Sequence, residues 1–440
     1  MIKGLEASRM QWLSWNMNLK VRLIGETIFH LFFWMFFPFM SLHFAASFGK
    51  DMASLLLVVP PLLGMIASLI GGQMADRIGR RPTMLFANVL EAVALALFAF
   101  SHTPWLDYIA FILLGIGGSI YWPASEAMVA DLTSEEERRD VFAVFYMAMN
   151  IGVVGGPLIG AFFFEHHRFG LMLTSFIVVV VFLVVLFVMI KETLPESAKK
   201  ASQLKPKQGI LRQQAENYRV IFSDKLFAMY ISAGILLSIV FMQMDMYMPV
   251  YIKESVPEQT LLVWGDWSFS LSSMEIFGWM VGINGLMVVL LTTPVTRLFS
   301  GWSDRDGFIL SSLLTGAGLL MMVFSTNVWY LFFCMAVFTF GELVRTPIAL
   351  GFVSKYAPED KRGQYMGAST LQFSVGRFLA PLVIGMSNWM TPLSVFAIIA
   401  MFGVFSAVLY YRLFRHVDMK RSSQSATGAV NQPEKEPNPA

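Results

Sequence analysis

Long apolar runs alternate with short polar segments along most of the chain. The hydrocarbon core of a bilayer is about 30 Å thick, so a helix that crosses it needs about 20 apolar residues. Each apolar run of that length therefore predicts one membrane-spanning helix. The twelve predicted spans are 22–47, 53–75, 83–102, 107–130, 141–164, 170–190, 226–252, 274–298, 306–325, 328–352, 363–386 and 391–415.

Two longer polar segments divide the chain into a first half (1–190), a linker (191–225), a second half (226–415) and a tail (416–440). The linker contains eight Lys or Arg residues. Its stretch ILRQQAENYRVIF has the pattern of an amphipathic helix on the membrane surface. The tail is rich in Ser, Pro and Glu, which predicts a disordered segment.

The composition is that of a membrane protein with many spans. Hydrophobic residues make up 56% of the chain and charged residues 14%, whereas soluble proteins contain about 25% charged residues. The single cysteine, Cys334, excludes an internal disulfide and a cysteine-based metal site. No motif for covalent catalysis, a nucleotide, a metal or a cofactor is visible. We expect no enzyme activity, no metal, no cofactor and no nucleic-acid partner.

The distribution of basic residues predicts the orientation. On the predicted topology, 27 of the 32 Lys and Arg residues lie on the side of the termini, three lie on the other side and two lie within spans. Lys and Arg favour the cytoplasmic side of a membrane. We therefore expect a multi-pass protein of the cell membrane with both termini in the cytoplasm.

The two halves resemble each other, because several residues recur 224 positions later at the same place in the order of spans. These pairs are Pro123 and Pro347, Arg138 and Arg362, Gly152 and Gly376, and Pro157 and Pro381. Each copy has six spans, an even number, so the copies run in the same direction. We predict an all-α integral membrane protein with twelve transmembrane helices in two parallel six-helix repeats. Transporters with a central site between repeats use this architecture.

The segment GGQMADRIGRRP (71–82) lies at the cytoplasmic end of span two. An acid here can face the positive N-terminal end of a helix, while the arginines can meet carboxylates or lipid phosphates. We predict a gating contact that breaks when the conformation changes; a fixed topological anchor is the alternative. The predicted gating residues are Asp76, Arg77, Arg80, Arg81 and Asp131. This segment resembles the signature of the major facilitator superfamily, which implies that family's twelve-helix fold.

Two further resemblances point to antiporters. GVVGGPLIGA (152–161) is similar to a Gly-Pro motif of antiporters in the superfamily, and Gly156 and Pro157 are predicted to permit close helix packing. FMQMDMYMPVYI and FTFGELVRTP resemble stretches of the LmrP-type proton-driven multidrug antiporters. This resemblance implies that Asp245 and Glu342 bind protons and cationic substrates. A carboxylate found early in span five of such proteins is replaced by Phe145.

Ionisable side chains within the predicted spans are the main candidates for function. Each costs about 2.5–3.5 kcal/mol or more to insert, so we expect it to face the bundle interior or water. Glu26 is a further candidate proton or substrate site, and Glu91 and Glu126 also lie in spans. The possible charge partners are Arg22, Arg345 and Arg377. Arg345 follows Glu342 by one helical turn, so the two could form a switch or a permanent structural pair.

The expected function is secondary active antiport, in which protons drive the export of lipophilic, often cationic compounds, as in multidrug efflux. The expected partners are protons, such small molecules and membrane lipids. A lipid or glycolipid antiporter of the same fold is the first alternative, because an apolar lining also suits acyl chains. A solute symporter and a non-transporting membrane sensor are weaker alternatives.

Overall fold

A computed structural model describes residues 15–196, 224–299, 301–358 and 362–430. Within these ranges the chain forms helices and one short hairpin. The helices of the first half are α1 (Met17–Phe36), α2 (Met40–Phe48), α3 (Lys50–Arg77), α4 (Arg80–Phe100), α5 (Pro104–Leu132), α6 (Glu135–His166) and α7 (Arg168–Met189). Those of the second half are α8 (Lys225–Met242), α9 (Tyr247–Ser255), α10 (Ser273–Leu298), α11 (Asp304–Met321), α12 (Val328–Tyr356), α13 (Arg362–Ser369), α14 (Leu371–Leu379), α15 (Leu382–Met386) and α16 (Pro392–Val430).

Eleven helical stretches in these described ranges are long and apolar enough to cross a membrane. They match the predicted spans with shifted ends, except for span 363–386. That span is divided into α13, α14 and α15, with breaks at Thr370 and at Ala380–Pro381. Pro381 lacks a backbone N–H and so cannot donate the hydrogen bond that a continuous helix needs at this position, which accounts for the second break. The all-helical bundle with about twelve spans is confirmed.

The helices alternate in direction between two ends of the bundle. We call the end with residues 17, 77–80 and 189 the terminal end, and the end with residues 49, 101–103 and 167 the distal end. Between α9 and α10, at the distal end, strands β1 (Gln259–Trp264) and β2 (Trp267–Leu271) form an antiparallel hairpin. The pattern of apolar runs does not predict this hairpin, because residues 259–271 lie between two predicted spans.

Equivalent helices pack together in each half. In the first half α4 packs on α5 and on α7, and α1 packs on α6. In the second half, α11 packs on α12 and on α16, and α8 packs on α14. The two halves thus repeat one packing plan, in line with the sequence repeat.

The halves meet near the distal end. Gly278 of α10 lies against Pro157 and Ala161 of α6, where an added Cβ would approach the Pro157 carbonyl oxygen to 2.8 Å. On the same face of α6, one and two turns closer to the terminal end, Ile151 and Met147 are 60% and 62% exposed. The two halves therefore diverge towards the terminal end, and the gap between them opens there.

A polar latch links the halves at the distal end. Lys50 Nζ lies 2.7 Å from Glu254 Oε2. Asp51 accepts hydrogen bonds from Asn388 Nδ2 at 2.9 Å and from Trp389 Nε1 at 3.1 Å. These contacts join the α2–α3 corner of the first half to α9 and the α15–α16 loop of the second half, so they hold the distal side shut.

Two predictions fall at the margins of the described residues. Residues 197–223 of the predicted linker, including its proposed surface helix, and residues 431–440 of the tail lie outside the described ranges. The backbone of residues 416–430 is helical as part of α16, where the sequence predicts disorder. A helix already formed by a membrane span extends easily, because each added residue costs no new nucleation.

Candidate functional site

Asp245 lies where the predicted seventh span is interrupted. Residues 243–246 form a turn between α8 and α9. Pro249 has no N–H, so the Asp245 carbonyl cannot receive the hydrogen bond that residue i+4 supplies in a regular helix. It accepts instead from Ser41 Oγ of α2, at 2.9 Å. The interruption therefore carries a polar link between the two halves of the protein.

The Asp245 side chain is 8% exposed. Its Oδ1 accepts no hydrogen bond from any residue that the structure describes. Two charged side chains lie within electrostatic reach, Arg377 of α14, which attracts the carboxylate, and Glu342 of α12, which repels it. Asp245 is thus a buried acid that lacks a close ion-pair partner in the described ranges.

Glu342 is half-buried on α12. Its Oε2 accepts a hydrogen bond of 2.9 Å from Asn284 Nδ2 of α10, and the same amide lies 3.0 Å from Thr339 Oγ1. A neutral amide stabilises a carboxylate without cancelling its charge. This hydrogen bond joins α12 to α10 within the second half.

Arg345 was predicted as a possible partner of Glu342. Its guanidinium donates to Gln372 Oε1 at 3.2 Å, and lies over the rings of Phe241 and Phe373 at 5.7 and 5.5 Å. Arg345 also attracts Glu342 electrostatically. These contacts link α12 to α8 and α14 and hold the guanidinium among aromatic faces, which suits a buried cation.

Glu26 lies in a polar cluster inside the first half. Arg22 Nε is 2.9 Å from Glu26 Oε1, and the two residues are 1% and 3% exposed. Tyr121 and Ser125 of α5 donate to the same oxygen at 2.9 and 2.8 Å, and Arg22 also contacts the Ser125 hydroxyl. Three donors thus contact one carboxylate oxygen.

Glu91 of α4 lies beside this cluster. It is 2% exposed, accepts a hydrogen bond of 3.1 Å from Asn88, and is near enough to Glu26 for repulsion. Sequence reasoning noted its span but not its orientation. Glu126, in contrast, is exposed on α5.

The predicted gating residues all lie at the terminal end. Arg77 is the half-buried last residue of α3. The other four make the following contacts. Arg80 Nη1 lies 2.7 Å from Asp76 Oδ1, and Arg80 Nε lies 3.1 Å from Asp131 Oδ2. Arg81 donates to the Phe187 carbonyl oxygen at 2.7 Å. All these elements belong to the first half, so the contacts tie α3, α4, α5 and α7 together.

A neighbouring acid that the sequence reading missed completes this group. Glu192 Oε1 accepts from the backbone N–H of Arg80 at 2.9 Å, at the start of α4. A carboxylate at a helix N-terminus is stabilised by the helix dipole.

The predicted packing residues serve two contacts. An added Cβ on Gly156 would approach Trp34 Cβ of α1 to 2.5 Å, so glycine permits this close approach. Pro157 contacts Gly278 of α10. α6 is therefore packed tightly on both its own half and the other half.

Sequence reasoning also missed the neutral side chains around the acids, namely Ser41, Asn284 and Tyr121. Single polar residues in membrane helices are frequent, so they carry little signal alone. One signal was present for Asp245, because a proline four residues later, Pro249, predicts a freed carbonyl group.

Known proteins resemble this chain over most of its length. The model of the Major Facilitator Superfamily matches residues 23–264 and 259–437. A "Na(+), Li(+), K(+)/H(+) antiporter" of Planococcus maritimus is 40% identical over 414 residues, covering 92% of this chain and 98% of that protein. The "Multidrug resistance protein MdtH" of Cronobacter sakazakii is 25% identical, covering 80% of this chain and 82% of that protein.

Solved structures share the fold. A crystal structure of the peptide transporter POT in complex with sulfate has a TM-score of 0.72 and 16% identity, covering 91% of this chain and 94% of that chain. The family match spans both halves, and the relatives extend over nearly the full length. This multi-pass membrane protein is a transporter rather than an enzyme, and it belongs to the Major Facilitator Superfamily.

Proposed function

We propose that the protein is an antiporter that exchanges protons for monovalent cations at Asp245 and Glu342. The observation that carries the proposal is the position of these two acids, one buried and one half-buried, inside membrane-spanning stretches of the second half. Asp245 has an unpaired oxygen within the described residues, and Glu342 accepts from a neutral amide. Both carboxylates can therefore hold either a proton or a cation.

The exchange requires that a proton and a cation compete for the same carboxylate. It also requires two conformations, each of which opens the site to one side of the membrane. A proton that binds a carboxylate removes the charge that attracts the cation, and the cation leaves. Loss of that proton on the opposite side restores the charge for the next cation. One pH unit supplies about 1.36 kcal/mol per proton, and 100 mV supplies about 2.3 kcal/mol per net charge moved.

The arrangement of the halves supports alternating access. The gap opens at the terminal end, while the latch of Lys50, Glu254 and Asp51 closes the distal end. Rocking of the halves about the α6–α10 contact would open the distal end. On this proposal the charge contacts of Asp76, Arg80 and Asp131 at the terminal end rearrange when the gap closes there.

We further propose that the cargo is an alkali cation. The 40% identical relative, whose name states Na+, Li+ and K+ exchange for protons, supports this class. A second class, lipophilic organic cations, is supported by the Met-rich sequence around Asp245 and by the multidrug relatives at about 25% identity. Methionine side chains adapt to apolar ligands of varied shape.

The basic residues support an orientation with both termini in the cytoplasm, because 27 of 32 lie on that side of the predicted topology. The cell membrane is the proposed location. In that orientation the gap faces the cytoplasm, and the acids load cations from inside.

The test uses proteoliposomes with a pH-sensitive dye and an imposed pH gradient. Pulses of NaCl, KCl, LiCl, choline chloride and tetraphenylphosphonium chloride are compared. We expect Na+, K+ or Li+ to drive proton movement, and Asp245→Asn and Glu342→Gln each to lower the rate at least tenfold. Glu258→Gln, an exposed acid of the distal loop, is the matched control. Unchanged rates in both amide variants would contradict the site, and a response to tetraphenylphosphonium alone would favour organic cations.

A further inference from the structure

Two buried oxygen atoms in the turn between α8 and α9 accept no hydrogen bond from the residues that the structure describes. They are Asp245 Oδ1 and Gln243 Oε1. Gln243 is 0% exposed and Asp245 is 8% exposed. An unpaired buried oxygen costs about 1–3 kcal/mol, and more for a charged group. Both atoms belong to the same four-residue turn, and both are acceptors.

The orientation of the Gln243 amide is fixed by its donors. Nε2 donates to the Ile239 carbonyl oxygen at 2.9 Å and to the Ala380 carbonyl oxygen at 3.3 Å. Both partners are acceptors, so a flipped amide would place oxygen against oxygen. The atom of the Gln243 amide without a partner among the described residues is therefore the oxygen Oε1. It can accept a hydrogen bond or bind a cation, but it cannot donate.

The backbone of the turn departs from regular helical pairing. Met248 N–H bonds to the Gln243 carbonyl oxygen, five residues back, instead of to Met244. Pro249 supplies no N–H, so the Asp245 carbonyl oxygen accepts a hydrogen bond from the Ser41 hydroxyl instead. Carbonyl groups freed from helical pairing in broken membrane helices are suited to hold Na+.

We propose that the turn of residues 243–246 is a binding site for one dehydrated Na+ ion, with Asp245 Oδ1 and Gln243 Oε1 as its side-chain ligands. The chemistry favours a hard monovalent cation. The ligands are oxygens, which suit Na+ more than soft metals. A single carboxylate balances one positive charge, whereas Ca2+ sites use several acidic ligands.

The site rests on the proposed function, since it names where the exchanged cation binds. Asp245 supplies the charge, and Gln243 supplies a neutral oxygen that remains after Asp245 is protonated. Gln243 is thus a residue for cation selectivity that does not itself bind protons. Charged neighbours are Arg377, which competes with the ion for Asp245, and Glu342, which adds to the attraction of the ion.

The experiment measures Na+ binding by purified full-length protein in detergent. Tm is recorded as NaCl replaces choline chloride at constant ionic strength, since a ligand of the folded state stabilises by RT ln(1 + [L]/Kd). We expect the wild type to show a saturable rise in Tm. Gln243→Met, which keeps the chain length and removes the oxygen, should raise the half-saturating Na+ concentration at least tenfold.

Two further variants keep the test decisive. Pro249→Ala supplies an N–H that can pair with the Asp245 carbonyl and favour a continuous helix through residues 243–246, which would move the two side-chain ligands. We expect it to weaken Na+ binding severalfold even if Gln243→Met does not fold. Ser406→Ala removes a buried hydroxyl that donates to the Ala233 carbonyl oxygen of α8, so it is the control for loss of a buried polar group. Its half-saturating Na+ concentration should stay unchanged.

The outcomes separate this site from the proposed function. A wild type without a Na+-dependent Tm, or variants at Gln243 and Pro249 that match the wild type, would overturn the site. Proton movement driven by Na+ in proteoliposomes is measured in parallel. If that exchange persists while the Tm results are negative, the antiport proposal stands and the ion binds elsewhere. If Na+ binds but drives no exchange, the antiport proposal fails and the site stands.

Discussion

At the scale of single residues, the acids differ in how their charge is balanced. Glu26 receives three donors, including Arg22, on one oxygen. Asp245 has one oxygen that accepts no hydrogen bond from the described residues, and its carboxylate is attracted electrostatically by Arg377 of α14. A carboxylate that already contacts an arginine attracts a further cation only weakly, whereas a carboxylate without such a contact attracts it strongly. This difference favours Asp245 over Glu26 as the cation site.

Arg377→Gln is expected to tighten Na+ binding. Arg377 attracts the Asp245 carboxylate, so removal of the guanidinium removes a competitor of the ion. A change of about 1 kcal/mol corresponds to roughly a fivefold lower half-saturating Na+ concentration. The measurement is the Na+ dependence of Tm. Arg412→Gln, an exposed arginine of α16, serves as control and should have no effect. Weaker binding in Arg377→Gln would show that the arginine supports the site rather than competes.

The Arg22–Glu26 pair is expected to matter for stability. Arg22→Ala leaves the Glu26 carboxylate, 3% exposed, without its cation. Breaking one partner of a buried pair costs about 3–5 kcal/mol, whereas replacing both partners by neutral residues costs less. The thermal unfolding of Arg22→Ala should therefore begin well below that of the double variant Arg22→Met, Glu26→Gln. Equal stability of the two would contradict a buried ionised pair.

At the scale of elements, apolar periodicity was sufficient to locate the helices but not their interruptions. The spans that begin near residues 226 and 363 are broken at 243–246 and at 370 and 380–381. Length and hydropathy do not register such breaks, because the residues in them are as apolar as those of a continuous helix. Pro249 and Pro381 were the available signals. The partner Asn284 depends on which faces of two helices meet, and one sequence does not contain that information.

The α6–α10 contact should control which side of the protein is open. Gly278→Val would push α10 away from Ala161 of α6, since an added Cβ lies 2.6 Å from the Ala161 Cβ. We expect the distal distance between the halves to increase. Spin labels on cysteines at His102 and Leu393 would measure it. Gly115→Val is the matched control, because an added Cβ at Gly115 meets nothing within 4 Å. An unchanged distance in Gly278→Val would refute a fulcrum at this contact.

At the scale of the whole molecule, function depends on two halves that meet at the distal end and separate at the terminal end. The sequence repeat predicted these parallel halves, but the sequence contains no signal for which side is closed. The latch pairs residues about 200 to 340 positions apart in the chain, such as Lys50 with Glu254 and Asp51 with Trp389. Such pairs become visible only once the halves are assembled.

The ion pair between Lys50 and Glu254 should stabilise the conformation in which the distal end is closed. Lys50→Glu places two acids together at 254 and 50, and we expect a larger fraction of distal-open molecules in the same spin-label measurement. An exposed ion pair contributes about 0.2–1 kcal/mol, so the population should change by at most about fivefold. The swap Lys50→Glu, Glu254→Lys should restore the wild-type distribution. Failure of the swap to restore it would contradict a role for this pair.

The most direct test of the central claim is proton release when Na+ binds. Purified protein in weakly buffered detergent solution receives NaCl, and a pH-sensitive dye records released protons, with choline chloride as the blank. If protons and Na+ compete for the same carboxylates, the wild type releases protons in a saturable manner and Asp245→Asn releases far fewer. Saturable Na+ binding without proton release, or release that is unchanged in Asp245→Asn, would contradict exchange at Asp245.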